Sequence, residues 1–134
     1  MSNDAHLKTW NVYQSAWGPI DEEQRRSLLR QSVADDILYT DPGSQTHGLE
    51  ELVARIEQSQ QAFPGAHFEN DSFLEHHDQG LFQWTMYDGK GAVFVKGSSF
   101  GRFGEDGRLV QATGFFTTPA ILKLPGGSFG TIRP

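Results

Sequence analysis

Before residue 67 the apolar positions of this chain recur every three or four residues, and from His67 onward they alternate with polar ones at period two. Leu7, Trp10, Tyr13 and Trp17 fall at spacings of three, three and four, which lines them along one face of a helix. Gly18-Pro19 ends that helix. Asp21 is an N-cap for a second, Gln24 completes a capping box, and Glu22 and Glu23 suit the positive end of the dipole. Leu28, Leu29 and Val33 form its buried stripe. The run from Asp35 to Gly43 then reads as a short apolar strand ending in Asp41-Pro42. A third helix begins near Gly48, turns Leu49, Leu52, Val53 and Ile56 inward, and ends before Phe63-Pro64-Gly65.

Three Gly-containing turns, Asp78-Gln79-Gly80, Asp88-Gly89-Lys90-Gly91 and Glu105-Asp106-Gly107, separate four runs of strand composition. Turns this short make the strands antiparallel neighbours. In the first run Phe68, Ser72, Leu74 and His76 oppose Glu69, Asp71, Glu75 and His77, with Phe73 on the wrong side. In the second, Phe82, Trp84 and Met86 share a face opposite Gln83 and Thr85. The third sets Gly97, Ser99 and Gly101 on one face, where paired glycines indicate a bulge or room for a ligand. In the fourth, Val110, Ala112, Gly114 and Phe116 alternate with Gln111 and Thr113. Residues 118–134, with three prolines and three glycines, read as an irregular tail. Helices followed by a meander predict one α+β domain over residues 1–134, its helices covering one sheet face. A twisted sheet curved by glycines around those helices leaves a cone open at one end.

Composition narrows the function. A chain of 134 residues with 37% hydrophobic and 21% charged residues is ordinary for one globular domain with its own core. A net charge of −6 with scattered Lys and Arg argues against nucleic acid, which needs a basic face. The lack of cysteine excludes disulfides, thiol nucleophiles and Cys-ligated zinc, and fits a reducing compartment. Met1 to Lys8 has no apolar core for a signal peptide, and no apolar run approaches the ~20 residues of a membrane span. The expected location is the cytoplasm. His6, His47, His67, His76 and His77 form no metal-ligand motif, and no Gly-rich loop leads from a strand into a helix to cradle phosphate. No metal or cofactor is expected.

The order helix, Asp35-Asp36, short strand, Asp41-Pro42, helix, Phe63-Pro64-Gly65, then the Trp84 strand and the hairpin into Gly114-Phe115, resembles the nuclear transport factor 2-like fold. More narrowly it resembles the SnoaL-like group, which is related to ketosteroid isomerase, over roughly residues 5 to 117. That superfamily implies a cone-shaped curved antiparallel sheet and, often, a homodimer formed through the exposed sheet face. It includes enzymes, ligand binders and plain dimerisation modules alike, so fold does not fix activity.

Against the isomerase branch, Asp41 falls where the resemblance implies a proton-abstracting aspartate, and Tyr13 where it implies an oxyanion-binding tyrosine. The branch's protonated carboxylic acid appears as Ser99, whose hydroxyl donates a weaker hydrogen bond. The SnoaL-like cyclases imply an acidic residue on the last strands, yet residues 92–103 and 109–117 contain no Asp or Glu. The Asp-Arg-Asp set of epoxide-hydrolase relatives is not recognisable. Carboxyl groups at the mouth of apolar cavities resist ionising and serve as bases near neutral pH. Asp41 and Tyr13 are therefore the candidate catalytic pair, with Trp17, Tyr39, His76, Trp84, Met86, Ser99 and Phe116 as candidate ligand contacts. The expected function is a cofactor-independent isomerase, cyclase or dehydratase acting on a small hydrophobic carbonyl or polycyclic compound. The alternative is a non-catalytic binding or dimerisation module, in which Asp41 merely bonds its own turn.

Overall fold

The structure, a computed structural model, describes residues 2–116. Its elements run α1 (Ser2–Ser15), α2 (Glu22–Ser32), β1 (Val33–Asp41), β2 (Ser44–His47), α3 (Leu49–Ala62), β3 (His67–His76), β4 (Gln79–Tyr87), β5 (Val93–Phe103) and β6 (Leu109–Phe115). The expected irregular tail, 118–134, lies outside the described residues.

The aromatic stripe of α1 buries as its spacing predicts. Trp10 stacks on Phe82 of β4 with ring centroids 4.1 Å apart, and Tyr13 leans against Trp10 at 4.9 Å. The helix winds down before Gly18-Pro19: Trp17 N–H donates to the Gln14 carbonyl and Gly18 N–H to that of Ser15, both at 3.1 Å. The carbonyls freed there are met by Arg25 of α2, whose buried guanidinium donates to Ala16 O (2.9 Å), Gly18 O (2.9 Å) and Ile20 O (3.1 Å). Asp21 caps α2 through Gln24 N–H at 2.8 Å. Val33, expected on the α2 stripe, is buried instead as the first residue of β1, so the helix passes into the strand without a linker.

The strands form one curved, unclosed six-stranded sheet in the order β2-β1-β6-β5-β4-β3. The β3–β6 run is the expected antiparallel meander. Two features were not expected. Ser44–His47 folds back on β1 as a strand, and β1 lies parallel to β6, pairing Tyr39 with Ala112 and Thr40 with Thr113. The α3 helix then starts at Gly48, whose φ of 93° favours glycine. Helices and the inner sheet face enclose a core that includes Trp10, Leu29, Ile37, Ile56, Phe82 and Leu109. This is the α+β architecture read from the sequence, with one parallel strand pair added.

The irregular alternation of β3 has a local cause. Its register against β4 shifts between Asn70 and Ser72, so one residue is inserted and the faces exchange. Before the shift Phe68 packs inward against Trp17 and Trp84; after it Phe73 stacks over Phe82 and Glu75 meets His6 of α1 at 2.9 Å. Phe73 is therefore on the core side. His76, assigned inward by uninterrupted alternation, is exposed and, among the described residues, its side chain bonds only His77.

Candidate functional site

Between α1, α3 and the inner sheet face lies a cavity of about 120 Å³. Rings from every side wall it, among them Trp10, Trp17, Phe63, Phe68, Trp84 and Phe116. Trp84 is set by a hydrogen bond and a vacancy of side chain. Its indole N–H donates to Ser99 Oγ at 2.9 Å, and its six-membered ring lies where a Cβ on Gly97 would stand, 2.6 Å away. Gly101 likewise faces Trp10, Phe82 and Leu109. The room expected over these two glycines is thus filled by the protein's own side chains.

The polar groups on the wall are Tyr13, Gln14, Tyr39, Arg55, Ser59 and Ser99. Directly behind them sits Asp41, whose side chain has no exposed surface and which is not part of the lining. The strand sequence and the Pro42-Gly43 turn bring three donors to it. Tyr39, two residues back on the same face of β1, donates its hydroxyl to Asp41 Oδ2 at 2.6 Å. Gly43 N–H (2.8 Å) and Ser44 Oγ (3.0 Å) donate to Oδ1. The fourth partner comes from α3: Arg55 donates to Oδ2 through Nε (3.0 Å) and Nη2 (2.8 Å). Arg55 Nε also reaches Ser44 Oγ at 2.9 Å, and its guanidinium carbon lies 5.7 Å from the Trp17 ring centroid.

The sequence put the Asp41 carboxyl at the mouth of the cavity; its side chain instead lies behind the wall. The residue is buried, but a salt bridge and hydrogen bonds hold both oxygens, and Tyr39 stands between it and the cavity. The two phenols on the wall are held protonated. Burial raises Tyr13 well above the ordinary tyrosine value; a Trp17 contact lowers it, and the Asp41 charge raises it again. Burial also raises Tyr39, reinforced first by the Asp41 charge.

Seven of the nine predicted site residues come together on the lining: Tyr13, Trp17, Tyr39, Trp84, Met86, Ser99 and Phe116. Asp41 stands one hydroxyl behind it, and His76 is remote at the end of β3. Arg55, Gln14 and Ser59 were missed. A signal for Arg55 did exist: it follows inward Leu52 by three residues and precedes Ile56 by one, a charge embedded in an apolar stripe. Gln14 follows Trp10 by four and carries the same signal. Among the described residues no cluster of three or more His, Asp or Glu could hold a metal, and no helix is long and apolar enough to cross a membrane.

Helices laid on a curved, unclosed sheet define the nuclear transport factor 2-like, or cystatin-like, class of α+β proteins. Within that class the chain belongs to the SnoaL-like family, whose domain model matches residues 15–112. A candidate isomerase of the SnoaL-like family from Agrobacterium tumefaciens superposes with a TM-score of 0.79 at 30% identity, over 85% of this chain and 98% of that one. A candidate SnoaL-like polyketide cyclase from Jannaschia (0.73, 14% identity) covers 89% of this chain and 90% of its own. A candidate polyketide cyclase from Sinorhizobium meliloti (0.65, 16%) covers 80% and 93%. The last two likenesses are of fold alone. No curated protein matches the chain.

Proposed function

We propose that this SnoaL-like protein is a cofactor-independent enzyme of the isomerase or lyase kind, acting on a small hydrophobic carbonyl compound. One observation carries the reading: Tyr39 is on the cavity wall while its hydroxyl touches the buried Asp41 at 2.6 Å. Asp41 then acts as base through Tyr39. A proton on the carbon beside the carbonyl passes to the Tyr39 oxygen as the Tyr39 proton passes to Asp41 Oδ2. The C–H electron pair moves toward the carbonyl oxygen, and the Tyr13 and Ser99 hydroxyls meet the developing negative charge. Returning the proton to a different carbon isomerises the substrate. The cavity of about 120 Å³ is smaller than the roughly 150 Å³ that holds benzene, so it admits at most a single small ring and excludes a polycyclic skeleton.

The test does not need the natural substrate. Small ketones and enones are incubated with the protein in heavy water, and deuterium uptake beside the carbonyl is followed by NMR. Wild type should accelerate uptake, and Tyr39→Phe and Asp41→Asn should lower it by about 10²-fold or more with the fold intact by circular dichroism. Equal rates in all three proteins would remove the relay.

A non-catalytic binding module of the same fold is the second reading. The five hydrogen bonds that hold Asp41 favour it, because they are what a purely structural carboxylate would make. Assembly follows from the outer sheet face. Leu74, Leu81 and Phe100 lie side by side across β3, β4 and β5, with Phe115 exposed on β6, and a second copy covering this apolar row gives a homodimer.

A further inference from the structure

We propose that the ligand of this cavity is a small hydrophobic monocarboxylate whose carboxylate group seats on the free edge of Arg55. The proposal rests on the reading of the cavity as a ligand site and adds the chemical class. Among the described residues Arg55 is the one charged side chain on the lining, which contains no Asp, Glu or Lys. Its counter-ion Asp41 lies behind the wall with no exposed surface, whereas Arg55 keeps 20% of its own. Asp41 and Ser44 occupy Nε and Nη2. Nη1, with two N–H groups, has no hydrogen-bond partner among the described residues and is not sealed from solvent. Trp17 beneath the guanidinium restrains its plane.

The other polar groups on the wall agree. Gln14 is 92% buried, lines the cavity, and its side-chain amide bonds no described residue. The Ser99 oxygen already accepts from Trp84, which leaves its hydroxyl proton to give. Tyr13 is held protonated and adds a further donor. Apolar rings, a surplus of donors and one cation complement an acceptor-rich anion on an apolar body. A purely apolar body of the same size would desolvate the Nη1 N–H groups without pairing them, and a neutral carbonyl would pair them without the charge assistance of a carboxylate. The ring goes inward among Trp10, Trp17 and Trp84, and the carboxylate stays at the partly exposed Arg55 end.

Benzoate and benzamide, equal in ring and size but different in charge, are the probes. Binding is followed by tryptophan fluorescence and by calorimetry on wild type, Gln14→Leu and the double variant Arg55→Gln/Asp41→Asn. The double variant removes both charges together, so that neither is left buried alone. Wild type should bind benzoate roughly tenfold or more tighter than benzamide. Gln14→Leu should weaken benzoate, and the double variant should bring the two probes to equal affinity. Benzamide binding as tightly as benzoate to wild type, or a preference that survives in the double variant, overturns the carboxylate assignment and leaves the cavity as a neutral-ligand site. Failure of both probes to bind wild type at millimolar concentration overturns the carboxylate assignment and the ligand site together.

Discussion

Gly97 is a glycine for steric reasons. A Cβ there would stand 2.6 Å from the Trp84 ring and 2.8 Å from the Phe115 carbonyl oxygen, one of them backbone that cannot easily yield. Gly97→Ala should therefore cost about 1–3 kcal/mol in urea denaturation and shift the Trp84 fluorescence as the indole leaves Ser99. Arg25 is the residue-scale counterpart on the helical side. Three backbone carbonyls of the α1–α2 connection depend on its guanidinium, so its burial is structural and unrelated to the cavity. Arg55 has a different balance, with two of its nitrogens anchored and one left over. That difference separates a positioning arginine from a candidate ligand contact.

At the scale of elements, α2 depends on its cap. Asp21 Oδ1 satisfies the Gln24 N–H at the dipole's positive end, and Glu22 and Glu23 follow in the first turn. Asp21→Ala should lower stability by about 1 kcal/mol with no change in ligand affinity, measured as the shift in urea midpoint. The bulge in β3 sets which side chains reach the helices. It turns Phe73 and Glu75 toward α1, and Thr85 of β4 fixes it by donating to Asp71 at 2.7 Å. An unbroken strand would put Leu74 and His76 in their places.

For the whole molecule, two predictions concern pH and assembly. Tyr13 and Tyr39 resist ionising when folded, while in the unfolded chain they ionise near the ordinary value of 10.0. Their folded values are raised, so the stability they hold is complete below pH 10 and is lost as pH rises above it. The urea midpoint should fall progressively as pH rises above about 10, and fall less in Tyr13→Phe. Leu74 and Leu81 are 72% and 42% exposed on the outer sheet face. If that face joins two copies, Leu74→Glu/Leu81→Glu should run as a monomer by light scattering while wild type runs at twice its mass. A monomeric wild type would end the dimer proposal.

Periodicity, caps and Gly-containing turns located the three helices and the meander, because each rests on neighbours along the chain. The aromatic stripe of α1, the Asp21 cap and the Phe82-Trp84-Met86 face needed no distant partner to be recognised. What escaped depends on contacts between remote segments. The β1–β6 pairing joins residues more than seventy apart, and the β3 bulge exists only relative to β4. The sequence marked Asp41 as the acid before a proline; tertiary structure surrounded it with Tyr39, Ser44 and Arg55, so that the acid lies behind the wall and the arginine paired with it lies on the lining. Local pattern determines which face of an element is apolar. Which polar groups meet inside is decided by long-range packing, since a carboxylate's partners are whatever donors the folded chain carries to it.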